Sequence, residues 1–464
     1  MSNAARSLGW LGIARLGLVQ TSLGAIVVIM TSTINRVMVV ELALPALVPG
    51  ALVGLHYAVQ VLRPRWGFGS DLGGRRTPWI IGGMALLGAG ATGAAAATAL
   101  ASVLPVLGIA LAVFCFLAIG IGVGAAGTSL LALLATRVQP ERRGAAAAIV
   151  WIMMIAGFAI CAPLAGHFLD PFTPARLVEV TATVSALAVA LATLAVWGIE
   201  AAGPESPRPA LSAAAARSGP PPSFLAAVRE VLADDRARRF AIFVFVSMLA
   251  YSAQELVLEP FSGVVFGYTP GSSTKLSGVQ HGGVLAGMIF VSVVTTLGSG
   301  RRIGTLRVWT VLGCLGSALP LLALASAASF GPDFPLRPAV FSLGFFNGVF
   351  AVAAIGSMMG LAGAGQRSRE GTRLGVWGAA QAVAFGFGGF AGTVAVDVAR
   401  RIFESPAIAY GVVFTAEAGL FLVSAALAAS LPRPAGEQPG AGPARQGAAR
   451  DRRPAAWVPV GGQR

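Results

Sequence analysis

Charge is what this chain of 464 residues has least of: Asp, Glu, Lys and Arg together make up 11% of it, whereas a soluble domain carries about 25%. Apolar residues make up 56% of the chain, and its mean hydropathy is +0.77. A chain this apolar cannot stay folded in water as a single domain. The composition therefore excludes a soluble enzyme, a disordered protein and a secreted disulfide-rich domain, and it predicts an integral membrane protein.

Cysteine is also scarce, and the sequences typical of enzymes are missing. Cys115, Cys161 and Cys314 lie in apolar runs without any C-x-x-C spacing, which predicts buried thiols and no metal site. The chain has no P-loop, no nucleotide-binding glycine fingerprint and no H-E-x-x-H. These absences predict that the protein is not an enzyme and does not use ATP directly. Residues 1–18 have no short apolar core with a cleavage site, so we expect no signal peptide.

Twelve apolar stretches are long enough to cross a bilayer, which requires about 20 residues each. They lie at roughly 19–40, 46–63, 78–99, 104–135, 145–167, 177–199, 240–259, 278–299, 304–328, 338–363, 374–398 and 406–430. We therefore predict an all-α protein with twelve transmembrane helices and four regions. These are an N-terminal six-helix bundle at 1–199, a cytoplasmic linker at 200–239, a C-terminal six-helix bundle at 240–430 and a disordered cytoplasmic tail at 431–464.

The linker is rich in proline, and its second part, 223–239, has apolar residues at helical spacing among charges. This pattern predicts a helix that lies along the membrane surface. The basic residues indicate the topology. The net charge is +14. In a soluble protein this charge would suggest binding to nucleic acid, but in a chain this apolar it is explained by basic loops beside a membrane. If both termini are cytoplasmic, all but six of the 33 basic residues lie on the cytoplasmic side. The six exceptions are Arg36, Arg176, Lys275, Arg337, Arg400 and Arg401.

The two halves repeat each other at an offset of about 226 residues, which indicates a transporter fold built from two parallel repeats. Gly74-Arg75-Arg76 has its counterpart in Gly300-Arg301-Arg302. Asp170 follows Gly144 by 26 residues, and Asp397 follows Gly371 by the same number.

The segment from Gly67 to Arg76, with Asp71, Gly74 and Arg75 inside it, fits G-x-x-x-D-x-x-G-R-R. It resembles the signature cytoplasmic loop of the major facilitator superfamily. Glycine permits tight turns there, and the Asp71 carboxylate is expected to pair with an arginine or with the positive end of a helix. The resemblance implies a clamp that holds the two halves together, although a basic loop that only fixes topology would have a similar composition.

Longer strings match one branch of that superfamily. In the first half they are Asn35–Leu42, Gly54–Gln60 and Arg63–Gly67. In the second half they are Gln254–Phe261, Ala351–Gly356, Gly375–Gln381 and Gly388–Phe390. These strings resemble the PucC/LhaA proteins, the bacteriochlorophyll delivery family, over roughly residues 10–430, although family members often have Asp where this chain has Glu255. The resemblance implies a factor in the inner or intracytoplasmic photosynthetic membrane of purple bacteria. Its partners would be antenna polypeptides and the reaction-centre core complex, and bacteriochlorophyll would be its cargo.

His56 lies near the middle of the second predicted span, with Gln60 one turn later and Tyr57 beside it. A neutral imidazole in an apolar site is a good axial ligand for the magnesium of bacteriochlorophyll. These three residues are therefore our candidates for binding pigment. The alternatives for His56 are a hydrogen bond between helices and a protonation switch.

Arg36 and Glu41 lie near the end of the first predicted span, and Glu255 and Glu259 lie one turn apart before Pro260. An unpaired arginine inside a bilayer is costly. We therefore expect Arg36 to pair with Glu255 or Glu259 of the other half as a gate, or else to anchor at the interface. The two glutamates suit proton coupling or a polar rim, and Pro260 is expected to end their helix.

We therefore predict an assembly factor for light-harvesting complexes that delivers or positions bacteriochlorophyll. Two alternatives remain. One is a proton-coupled transporter of a small amphiphile or tetrapyrrole, and the other is a scaffold without pigment.

Overall fold

The computed structural model describes residues 8–62, 75–139, 142–200, 233, 235–297, 305–363 and 370–430. These residues form twelve main helices, a few short helical turns and no strand. The first six are α1 (Trp10–Glu41), α2 (Leu47–Val59), α3 (Thr77–Ala101), α4 (Pro105–Arg137), α5 (Arg143–Leu169) and α6 (Pro174–Val196). The second six are α7 (Asp235–Phe266), α8 (Pro270–Leu297), α9 (Leu306–Ala325), α10 (Leu336–Gly363), α11 (Glu370–Ile402) and α12 (Pro406–Ser430).

Eleven of these helices are long and apolar enough to cross a membrane, and α2 is a shorter apolar helix. This confirms the prediction of an all-helical, multi-pass membrane protein. Several boundaries differ from the prediction: α1 begins nine residues earlier than expected, at Trp10, and α8 begins at Pro270 instead of 278. The predicted surface helix at 223–239 lies largely outside the described residues, and the predicted tail at 431–464 lies wholly outside them.

Each half packs its helices in the same order. Among the first six helices, α3 packs on α4 and α6, and α1 packs on α5. The second six repeat this pattern, because α9 packs on α10 and α12, and α7 packs on α11. Buried apolar side chains form one large cluster within residues 13–199, joined by Leu256, and another within 240–428. The two halves meet where α2 packs on α11 and α5 packs on α8.

Glycines bring α8 and α10 into backbone contact. A Cβ atom on Gly283 would lie 2.9 Å from the amide nitrogen of Phe345, and one on Gly344 would lie 2.9 Å from the carbonyl carbon of Gln280. Gly287 and Gly348 make equivalent contacts one turn further along. Small residues at helix crossings permit this close approach in membrane proteins.

The expectation that Pro260 ends its helix is wrong, because α7 continues through Pro260 to Phe266. Proline removes one backbone hydrogen bond, and membrane helices tolerate this loss where neighbouring helices and hydroxyl side chains contact the freed groups. Here the freed acceptor is the carbonyl oxygen of Leu256, four residues before Pro260, and the Asn35 side chain of α1 donates to it at 2.9 Å. Glu259 therefore lies within α7 and not at its end.

Candidate functional site

The last turns of α1 are π-helical, over Ile29–Ile34 and Val37–Glu41. The amide of Leu42 donates to the carbonyl of Val37, five residues earlier, at 3.0 Å. Such wide turns occur mostly as single bulges and are frequent at functional sites. This segment lies between α7 and α8 of the other half, so the contact between the two halves includes an irregular helix.

Arg36 is 2% exposed and forms an ion pair with Glu41. In an α-helix, residues five apart lie about 140° apart around the axis, but a π turn stacks them. The expected ion pair between Arg36 and Glu255 or Glu259 is therefore not what the structure shows. Arg36 still reaches the other half, because its guanidinium donates to the carbonyl oxygen of Tyr268.

Glu259 lies beside this contact and is 2% exposed. Arg36 and the hydroxyls of Ser273 and Ser277 lie near its carboxyl group, but neither carboxyl oxygen accepts a hydrogen bond of good geometry from the described residues. The Asn35 side chain donates to the carbonyl oxygen of Leu256 at 2.9 Å. A polar layer inside the bilayer thus joins α1 to α7.

Glu255 and Glu259 are in different surroundings, although they are one turn apart. Glu255 is half-buried near Tyr251, whose ring centroid lies 5.8 Å from that of Phe385 on α11. Phe385 in turn lies 5.6 Å from Tyr57 on α2. The structure therefore does not bring the two carboxyl groups together as one proton-sharing pair, since one belongs to an aromatic row and the other to the polar layer.

Two aspartates join the halves at the end of the bundle where α5 and α11 terminate, which we call the Asp170 end. The Asp170 carboxylate accepts hydrogen bonds from the amide of Gly271 at 3.1 Å and from the hydroxyl of Thr269 at 2.9 Å, at the start of α8. The Asp397 carboxylate accepts from the amides of Ala46 and Leu47 at 3.0 and 2.7 Å, at the start of α2. Each half therefore caps a helix of the other half with a carboxylate, which the positive end of a helix favours.

This pair of caps was not predicted as a functional feature, although the repeat contained the signal. Asp170 and Asp397 occupy equivalent positions in the two halves, and the sequence comparison used them only as markers of the repeat. Predicting the caps also required knowing that α5 packs on α8 and α11 on α2, which is a property of the fold. In the predicted topology the Asp170 end faces away from the cytoplasm.

His56 is 1% exposed at the contact of α2 with α4, where a Cβ atom on Gly120 would lie 2.7 Å from the carbonyl oxygen of His56. The Nε2 atoms of His56 and Gln60 lie 2.9 Å apart, and the ring of Tyr57 packs edge-on at 4.8 Å. The three pigment candidates are thus together. His56 is therefore closed off from a macrocycle in this conformation, because α2 packs on α4 around it.

Of the predicted signature loop, Gly67, Asp71 and Gly74 lie outside the described residues. The structure describes Arg75, which is exposed, and Arg76, which is half-buried. The Arg76 guanidinium binds the carbonyl oxygen of Ala132 and, at 2.8 Å, the hydroxyl of Thr136 on α4. Its amide donates to the Glu200 carboxylate at 2.8 Å. This end of the loop therefore joins helices within one half.

Glu200 also accepts a hydrogen bond from the amide of Thr77, so it caps the start of α3. Burial opposes its ionisation, but the amides of Arg76 and Thr77 and the charge of Arg137 hold the pKa of Glu200 below its ordinary value of 4.5. The ionised carboxylate therefore stabilises the folded state above that pH, and this stabilisation is lost as the pH falls through the lowered pKa.

We expect Glu200→Gln to lower the melting temperature at pH 7 and to matter progressively less below pH 4.5. Thermal unfolding of both proteins in detergent, measured across this pH range, tests the prediction. Glu179→Gln, at an exposed position, serves as a control and should change neither the melting temperature at pH 7 nor its dependence on pH. An equal deficit for Glu200→Gln at every pH would contradict the role of charge.

Within the described residues, no group of three or more His, Cys, Asp or Glu side chains could hold a metal ion. A membrane-facing groove of about 330 Å³ lies between α3 and α4. It is lined by Pro78, Trp79, Gly82, Gly83, Leu86, Ile121 and Ala125. These residues offer apolar contact but no side chain that coordinates a metal.

Comparison with known proteins places the chain in a family. Residues 33–435 match the family model described as PUCC protein. The chain is 53% identical to the bacteriochlorophyll synthase 44.5 kDa chain of Rhodobacter capsulatus, over 91% of this chain and 95% of the relative. It is 28% identical to Protein PucC of Cereibacter sphaeroides, over 88% and 90% of the two chains.

Among solved structures, a D-xylose-proton symporter superposes with a TM-score of 0.67 at 16% identity, over 91% of this chain and 97% of the symporter. This likeness concerns the fold alone and confirms the predicted major facilitator architecture. The match to the family model over most of the chain, together with the 53% identity to a relative, shows that this multi-pass membrane protein belongs to the PUCC protein family.

Proposed function

We propose that the protein assists the assembly of photosynthetic antenna complexes by holding bacteriochlorophyll in the membrane for antenna polypeptides. The observation that carries this proposal is the 53% identity, over nearly the whole of both chains, to a relative named for bacteriochlorophyll synthesis. The family and the transporter-like fold argue for a non-enzymatic membrane protein. We therefore expect it to handle the pigment and not to synthesise it.

The membrane-facing surface supports this proposal. Bacteriochlorophyll is a flat apolar macrocycle with a long hydrocarbon tail, and it can enter such a surface directly from the bilayer. The groove between α3 and α4 offers apolar walls at Trp79, Leu86 and Ile121. Antenna polypeptides and the core complex are the partners we propose at the lipid-facing helices.

The runner-up function is a proton-coupled transporter of a small amphiphile or tetrapyrrole. The buried Glu259 and the half-buried Glu255 favour it, because ionisable groups inside a membrane are often functional. In that mechanism α2 would move, and the site with His56, Tyr57 and Gln60 would open to the ligand.

Purification from native membranes in mild detergent distinguishes these functions. A delivery factor should carry near-infrared absorption and co-purify with antenna polypeptides, and its deletion should lower antenna abundance. A transporter should instead move substrate into vesicles in a way that collapses with the proton gradient. A scaffold should co-purify with antenna polypeptides but be colourless. Normal antenna abundance in the deletion strain would overturn the proposal.

A further inference from the structure

The chain has three histidines, and they differ in access. His56 is buried and lies against Gln60. His281 is buried on α8, and its Nδ1 atom lies 2.9 Å from the carbonyl oxygen of Ser277. His167, in the last turns of α5, is exposed. It is therefore the one imidazole of the chain that a ligand in the membrane can reach in this conformation.

His167 lies at the end of an apolar face of α5. Ile160, Leu164 and Phe168 are 59, 56 and 63% exposed, and together with His167 they follow the i, i+4, i+7, i+8 spacing of one helix face. The other faces of α5 are covered, since Gly157 packs on Thr21 of α1 and Gly166 packs on α8. This face therefore points to the hydrocarbon.

The ring of Phe168 packs edge-on against that of His167, with the centroids 5.2 Å apart. Side chains on a helix tilt toward its N-terminus, so Leu164 and Ile160 continue the surface from the two rings into the membrane. An aromatic pair followed by two aliphatic side chains offers contacts both to a flat ring and to its hydrocarbon tail.

A cation lies next to this face. The stem of Lys275, on α8, packs over Gly166, the residue before His167: a Cβ atom on Gly166 would lie 3.0 Å from the Lys275 Cγ atom. Lys275 forms no ion pair or hydrogen bond within the part of the chain that the structure describes. Its ammonium is therefore not engaged by another side chain of these residues and is available to donate to an oxygen of a ligand at this end of α8.

The second half has no equivalent of this site. The 227-residue offset that relates Asp170 to Asp397 places Val394 at the position equivalent to His167. The imidazole is therefore particular to the first half, whereas the capping aspartates Asp170 and Asp397 occur in both halves.

We propose that His167, Phe168, Leu164, Ile160 and Lys275 form a membrane-facing site for a magnesium tetrapyrrole at the seam between α5 and α8. The imidazole of His167 would hold the magnesium through a ring nitrogen. Phe168 packs against the macrocycle, Lys275 donates to a carbonyl on its edge, and Leu164 and Ile160 contact the tail. This inference rests on the proposed function and assigns it a site other than His56.

Titration of the purified full-length protein in detergent tests the site with two pigments, bacteriochlorophyll and its magnesium-free analogue bacteriopheophytin. Wild-type protein should bind bacteriochlorophyll about tenfold more tightly, because only that pigment gains an axial bond. His167→Ala should abolish this preference, and added imidazole should restore it in His167→Gly. Lys275→Gln should weaken the binding of both pigments alike. Leu187→Ala, at a 66% exposed position on α6, is the matched control and should change neither.

The titration results test the proposed site and the proposed function separately. If the wild-type preference survives in His167→Ala, the site is wrong, but a pigment-binding function stands. If the wild-type protein binds neither pigment, both the site and pigment handling by this protein are refuted. His167 and Leu187 are exposed, so their variants are not expected to disturb the fold; the melting temperature of Lys275→Gln, whose stem packs between α5 and α8, is compared with that of the wild type.

Discussion

Gly283→Leu is expected to prevent α8 and α10 from packing, with a loss of about 3 kcal/mol or more in the free energy of unfolding. A side chain at Gly283 would meet the backbone of α10 at Phe345, and backbone atoms cannot move aside as a flexible side chain can. The expected result is little monodisperse protein in detergent, measured by size-exclusion chromatography, and a lower melting temperature for what remains.

The neighbouring residue supplies the control for this prediction. A Cβ atom on Gly282 would have no heavy atom within 4 Å. Gly282→Leu should therefore be tolerated, although it makes the same substitution as Gly283→Leu at the next position of the same helix. Equal yields and melting temperatures for the two variants would show that α8 and α10 do not touch as described.

The double variant Asp170→Ala/Asp397→Ala is expected to open the Asp170 end. Each carboxylate caps a helix of the other half, and a cap is worth about 1 kcal/mol. Losing both shifts the balance between closed and open forms by about 2 kcal/mol, which is about 30-fold in population. Distances between spin labels at Glu179 and Glu404, which are exposed at this end in different halves, should lengthen and broaden.

The two single variants should each shift the population less, and their effects should add, because the two caps occupy separate helix starts. Asp333→Ala provides a matched control at the same end, since Asp333 is exposed in the turn before α10. Unchanged distances in the double variant would mean that other contacts, such as the one from Arg36 to Tyr268, keep this end closed.

The sequence was sufficient to predict the twelve helices and the repeat, because long apolar runs and an offset between the halves are properties of the chain itself. Pairings between distant residues were harder to predict. Arg36 was expected to pair with Glu255 or Glu259 of the other half, but the π turns at the end of α1 bring it to Glu41 instead. Pro260 was expected to end α7, but the bilayer favours continuing a helix over exposing its backbone.

In the candidate site, too, local neighbours could be predicted from the sequence, whereas burial and exposure depend on the fold. His56 was chosen for its polar neighbours, which the structure confirms in Gln60 and Tyr57. Its burial under Gly120 of α4 could not be read from the sequence. His167 was not among the predicted site residues, because the sequence does not show which face of α5 the neighbouring helices leave uncovered.

The wide turns of α1 also have a mechanical consequence. A π turn holds one residue more than the α turn it replaces, so a shift of hydrogen bonds by one residue rotates the tip of the helix by about 100° without melting it. The tip of α1 carries Arg36 and Glu41. Such a shift would turn Arg36 and Glu41 relative to α7 of the other half, while the first turns of α1 stay packed on α5 and α6.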